Sequence, residues 1–103
     1  MHAMRSWRVL LETLAIDDDP VDATYADVYL VVRDGDEAPG PNDWEATVRT
    51  TARRHLRPGR YALRATTAEG HPIEGAALLR FSDGHRHLFR GDGPLAGVAL
   101  VVS

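Results

Sequence analysis

Cysteine, lysine and glutamine are all missing from this chain of 103 residues. The absent thiols exclude disulfides, thiolate nucleophiles and thiolate-bound metals, so stability must come from buried apolar surface. No run reaches the roughly 18 apolar residues that a membrane-spanning helix needs. The apolar stretch within residues 1–16 is broken by charges, unlike a secretory leader. These absences lead to the expectation of a soluble, cytoplasmic protein with no membrane contact. Without lysine, all twelve basic side chains are arginine. Together with abundant Ala, Val, Asp and Gly, this bias points to a GC-rich bacterial genome, so an arginine at a given site is not evidence that its planar fork was selected there.

Chemical signatures are missing too. There is no glycine-rich phosphate loop, nucleophile elbow or paired-carboxylate motif, and Gly91-Asp92-Gly93-Pro94 reads as a turn. No catalytic residue, cofactor or metal is assigned, and the reading leans to a non-enzymatic protein. Length suits one small β domain over residues 1–103, with a radius of gyration of about 13 Å if compact. The 44% hydrophobic and 26% charged residues are ordinary globular composition.

What is present is a sharp sorting of charge. Residues 12–45 hold eleven carboxylates against the single Arg33, whereas residues 46–68 hold six arginines and no acid. The net of −3 therefore hides two neighbouring segments of opposite sign. Such polarity bears on partners and self-association rather than on reaction chemistry.

The hydrophobic pattern is mostly that of strands. Tyr61, Leu63 and Ala65 alternate with Arg60, Arg64 and Thr66, the period of a half-buried strand over 60–67. Ala26, Val28, Leu30 and Val32 alternate with Tyr25, Asp27, Tyr29, Val31 and Arg33 in a second. Residues 73–82 and 85–90 read as a hairpin about Asp83-Gly84, a dipeptide suited to a tight type I′ turn. That register sets Phe81 opposite Arg86, Arg80 opposite His87 and Leu78 opposite Phe89. Residues 95–102 read as a final strand, and Asp17–Thr24 and Asp34–Asp43 as loops rich in Asp, Gly and Pro.

Two segments carry mixed signals. Over 44–56, Trp44, Val48, Ala52 and Leu56 fit a helix, but three threonines and the alternation Trp44, Ala46, Val48 favour a strand. Over 6–16, Trp7, Leu10, Leu11 and Leu14 fit a helix, and Trp7, Val9 and Leu11 a strand, which is preferred. The expected fold is mainly β, a small antiparallel barrel or sandwich of six or seven strands. The alternative is α+β, with residues 43–56 as a helix packed on the sheet.

Three residue sets are candidate sites. If the segments flanking Arg57 are both strands, Arg49, Arg53, Arg57, Arg60 and Arg64 form one stripe for an anion or an acidic partner. Nucleic acid is the less favoured occupant, because Trp44 and Tyr61 point to the core instead of offering stacking surfaces. Arg80, His85 and His87 are candidates for the mouth of a small-ligand pocket; in that alternative the barrel binds a small molecule, as a binding protein or as an enzyme. Tyr29 and Val31 leave the outer face of their strand partly apolar and mark it for self-association. Asp17, Asp18, Asp19, Asp22, Asp34, Asp36 and Glu37 offer oxygens for calcium, but their two loops emerge at opposite ends of one strand, some 25 Å apart at ~3.3 Å per residue. The leading expectation is a protein-interaction or homo-oligomerising module whose partner is another protein or itself. Single-stranded nucleic-acid binding on the arginine stripe comes third, after the small-molecule barrel.

Overall fold

The computed structural model describes residues 4–98. Seven strands follow one another: β1 (Met4–Ile16), β2 (Asp19–Pro20), β3 (Ala23–Arg33), β4 (Trp44–Thr50), β5 (Arg60–Thr67), β6 (Pro72–Ser82) and β7 (Arg86–Gly91). Their order in the sheet is β2-β1-β3-β4-β7-β6-β5, and β1 also pairs with β5. Six strands thereby close into an antiparallel barrel, with β2 appended. The Cα radius of gyration, 13.2 Å, is that of a compact chain of this length.

Closure depends on β1, which pairs with β3 through Met4–Leu10 and with β5 through Leu11–Ile16. The register slips between Leu11 and Thr13, leaving Glu12 as a bulge that bends the strand from one partner to the other. Inward positions therefore run Trp7, Val9, Leu11 before the bulge and Leu14, Ile16 after it. The mixed periodicity of residues 6–16 is this shift of parity, not a helix.

The interior is filled. Trp44, Phe89, Leu30, Val32 and Val48 are almost wholly enclosed, and Tyr61 meets Phe89 edge-on with ring centroids 6.0 Å apart. Trp44 lies against the backbones of β6 and β7. A Cβ on Gly75 would come within 2.8 Å of its ring, and one on Gly91 would overlap the pyrrole nitrogen. These two glycines are cut-outs for one indole, whose Nε1 donates to the Gly93 carbonyl at 3.0 Å.

The connections depart from the sequence reading in four places. Asp17 and Asp18 both have positive φ, 50° and 65°, which makes a tight I′-like turn and folds the expected loop 17–24 into the short hairpin β1–β2. The strand expected over 44–56 stops at Thr50, and no helix forms over 43–56. β4 and β5 are not neighbours, so the chain must leave the sheet and cross the barrel end. As it does, the Thr50 hydroxyl donates to the Ala52 carbonyl and the Arg54 amide to the Gly84 carbonyl.

In the hairpin β6–β7, Ser82 pairs with His87 and Phe81 with Leu88, so the loop is longer than the two-residue turn expected. Asp83 Oδ1 accepts from the amides of His85 and Arg86, at 2.9 and 2.7 Å, and holds the wider loop. A second register shift between Leu79 and Phe81 leaves Arg80 as a bulge and sets Leu78 opposite Arg90. Finally, of the strand expected over 95–102, only an isolated bridge between Ala96 and Glu74 forms within the described residues. Gly97, with φ of 86°, turns the chain directly afterwards. Residues 99–102 lie outside the described residues.

Candidate functional site

The arginine stripe does not assemble as one surface. β4 and β5 sit on opposite sides of the barrel, two strands apart in either direction. On β5, Arg60 is bound to Asp92 at 2.9 Å, and Arg64 lies 3.3 Å from Glu74 and 3.5 Å from Asp18. Arg54 pairs with Asp19. Part of the basic segment is thus matched by acids of this same chain, two of them from the acidic segment. Arg57 is exposed in the loop before β5, where its carbonyl accepts from the Tyr61 hydroxyl. Arg53 lies over Gly84 at the far end of the barrel. Arg49 alone remains on β4, facing outward.

Arg80, His85 and His87 likewise do not meet at one mouth. His87 points into the barrel, is 0% exposed, and has its Nδ1 2.7 Å from Ser82 Oγ. Burial holds its pKa below the ordinary imidazole value, and the Arg54 and His85 charges act in the same direction, against Asp83. Its Nε2 has no partner among the described residues. A serine within reach of a histidine invites a nucleophile–base reading, but this ring is enclosed in the barrel and no carboxylate hydrogen-bonds it. Its bond joins β6 to β7 at the hairpin end. His85 is exposed, its Nδ1 3.3 Å from the Thr50 carbonyl, and Arg80 projects from its bulge on the outer face. Among the described residues, no three His, Asp or Glu side chains converge to hold a metal.

The outer face of β3 is more informative. Strand parity points Tyr25, Asp27, Tyr29 and Val31 away from the core, yet Asp27 is only 1% exposed. One of its oxygens, Oδ2, accepts from the Tyr25 hydroxyl at 2.5 Å and from Arg8 of β1 at 2.7 Å. The other, Oδ1, is buried with no donor. Neighbouring side chains form the cover. The Arg8 guanidinium stacks over the Tyr29 ring at 5.4 Å and that of Arg49 over the Tyr25 ring at 5.8 Å. Leu10, directly across from Asp27, is 50% exposed.

Electrostatics follow from the contacts. The hydrogen bond to Asp27 is the main cause raising the Tyr25 hydroxyl above the ordinary tyrosine pKa, and it does the same for Arg8. A buried acceptor without a donor costs about 1–3 kcal/mol, and more when charged. The alternation of residues 25–33 places Asp27 on this outward row with Tyr25, Tyr29, Val31 and Arg33 but does not mark it as buried. The available signal is a lone carboxylate flanked on both sides by tyrosines.

No family model matches this chain, and neither does any curated protein or solved structure.

Proposed function

We propose that this chain is a non-enzymatic protein-interaction module that self-associates through the outer face of β3, its partner being a second copy. The observation that carries this reading is Asp27, a carboxylate on the outside of the barrel that is already desolvated and keeps one oxygen without a donor. Around it stand tyrosine and arginine, residue types that dominate binding energy at protein interfaces, beside an exposed leucine. The middle of β3 is paired on both sides, with β1 and with β4, so this strand docks through its face and not by strand addition. The filled interior argues in the same direction, because it offers a small molecule no room among the core side chains.

A second copy suits this face because the face contains both halves of a complementary pair. Asp27 Oδ1 lacks a donor, while Arg8 and Arg49 beside it carry guanidinium N–H groups turned outward. About a two-fold axis, as an isologous interface requires, the guanidinium groups of one copy reach the acceptor of the other once the side chains that cover Asp27 move aside, a rotamer change of the kind common at interfaces. Sedimentation equilibrium tests the proposal: the wild type sediments at twice 11.3 kDa. Tyr29→Asp, which sets a second negative charge against the first, weakens association by at least about 30-fold, the equivalent of an ordinary hot spot of ~2 kcal/mol. A wild-type monomer at the highest soluble concentration contradicts the reading.

A further inference from the structure

We propose that the outer face of β6 and β7 is a second docking surface, and that it takes an acidic peptide segment carrying an apolar side chain. The surface begins with a pairing that a sheet normally avoids. Arg86 of β7 is directly opposite Arg49 of β4, both exposed, and like charges so placed are destabilising. The bulge at Arg80 brings a further guanidinium to the outer side of β6, in the way bulges commonly re-aim a side chain. Among the described residues, Arg49, Arg80, Arg86 and Arg90 make no ion pair, and neither does Arg5 of β1, whose guanidinium donates to the Asp36 carbonyl instead, whereas Arg8, Arg33, Arg54 and Arg60 each make one and Arg64 two. The outer face of β4, β7 and β6 is thus left with a group of unpaired like charges side by side. Such an arrangement costs stability unless an anion covers it.

Apolar groups lie between these charges. Phe81 pairs across the strands with Leu88, and Leu78 lies two pairs further along on the same face; Phe81 is 46% and Leu78 37% exposed. They form a short apolar line flanked by arginines. Beside it is a shallow groove whose walls include Arg80, Leu88 and Arg90. Glu45 stands across from Arg90, and Asp83 at the hairpin tip binds the Arg86 amide, so the strongest attraction falls between them, over Arg49, Arg80 and Arg86.

The occupant follows from charge complementarity and from this apolar line. A nucleic-acid strand would find one exposed ring, Phe81, where binding of successive bases needs several. An acidic peptide with one large apolar residue matches what is present: carboxylates for the arginines, and a side chain for the Phe81–Leu88–Leu78 line. The two surfaces border one another at Arg49, which lies over the Tyr25 ring, but Arg80, Phe81 and Arg86 belong to this one alone.

Fluorescence anisotropy with three labelled probes tests the proposal: an Asp/Glu-rich dodecapeptide with a central Phe, the same peptide with Ser in place of that Phe, and a dT dodecamer. At ~50 mM salt the Phe peptide binds the wild type at least about fivefold more tightly than the Ser peptide, and its affinity falls steeply as the screening length shortens with added salt. Arg80→Glu and Arg86→Glu each weaken it at least tenfold, and Phe81→Ser removes the preference for the Phe peptide. All three positions are exposed, so folding is checked by unfolding curves, and Arg80→Ala/Arg86→Ala serves as the milder variant if a reversal perturbs it. The sedimentation of these variants stays that of the wild type, which separates this surface from the β3 face. Absence of binding by the Phe peptide, binding indifferent to the charge reversals, or tighter binding of the dT dodecamer overturns the proposal.

Discussion

Replacing Gly91 by alanine tests how the barrel is packed. In β7 this residue is opposite Ala77, and its missing Cβ is the space that the Trp44 pyrrole ring occupies. The indole cannot easily retreat, because it is 1% exposed, Gly75 backs its other ring, and Nε1 is tied to the Gly93 carbonyl. One added methyl is therefore an overpacking substitution worth about 1–3 kcal/mol of destabilisation. The gain from a less flexible unfolded chain, below about 1 kcal/mol, offsets only part of it. In a domain of this size a loss of 1 kcal/mol lowers Tm by roughly 4–8 °C. Urea and thermal unfolding of four proteins decide the matter: wild type, Gly91→Ala, Trp44→Phe and the double variant. Phenylalanine lacks the pyrrole ring, so Gly91→Ala costs measurably less in the Trp44→Phe background. An equal cost in both backgrounds, or none in the wild type, refutes the packing described.

Two further outcomes follow from hydrogen bonding and titration. Tyr25→Phe removes one of the two donors to buried Asp27 and lowers stability by about 1–3 kcal/mol, whereas Tyr29→Phe, whose hydroxyl makes no hydrogen bond among the described residues, changes it by less than about 0.5 kcal/mol; equal effects in unfolding titrations contradict the assignment. Because burial lowers the folded pKa of His87 below its ordinary value of 6.5, the unfolded chain takes up a proton first as pH falls. Its contribution is therefore fully present above pH 6.5 and is lost as pH falls from there towards the lowered folded value. His87→Gln flattens the pH dependence of the unfolding midpoint in that window, and an unchanged slope contradicts the role given to burial.

The barrel was legible in the sequence wherever one inward face kept period two without interruption. β3 and β5 follow directly from Val28, Leu30 and Val32 and from Leu63 and Ala65. The bulge at Glu12 obscured β1 because it shifts the inward side by one residue, and its cause is a partner, β5, that lies some fifty positions along the chain. The β6–β7 register was missed for a similar reason. Asp83-Gly84 does favour a two-residue turn locally, but the Asp83 carboxylate binds two amides further on and selects the wider loop. The arginine stripe failed on topology: Arg49 and Arg60 flank one connection in sequence, yet that connection crosses the barrel end instead of forming a hairpin. Tyr29 and Val31 were legible as an outer face, whereas the burial of Asp27 was not, since it depends on Arg8 and Leu10 arriving from β1. The unpaired arginines of β4, β6 and β7 lie far apart in sequence and become neighbours only through the order of strands.

That two copies meet through β3 is directly testable by spin labelling, because the chain has no cysteine. Ser6→Cys places a single nitroxide on the exposed side of β1, across from Val31 and at the rim of the proposed interface. Ala62→Cys places one on the exposed side of β5, where the barrel turns away from that face. Pulsed dipolar spectroscopy on each labelled protein then reads the distance between copies. Association through β3 gives a well-defined intermolecular distance for Ser6→Cys that is clearly shorter than that for Ala62→Cys, with both signals lost on adding Tyr29→Asp. No intermolecular coupling at either position, or a shorter distance at Ala62→Cys, would contradict it.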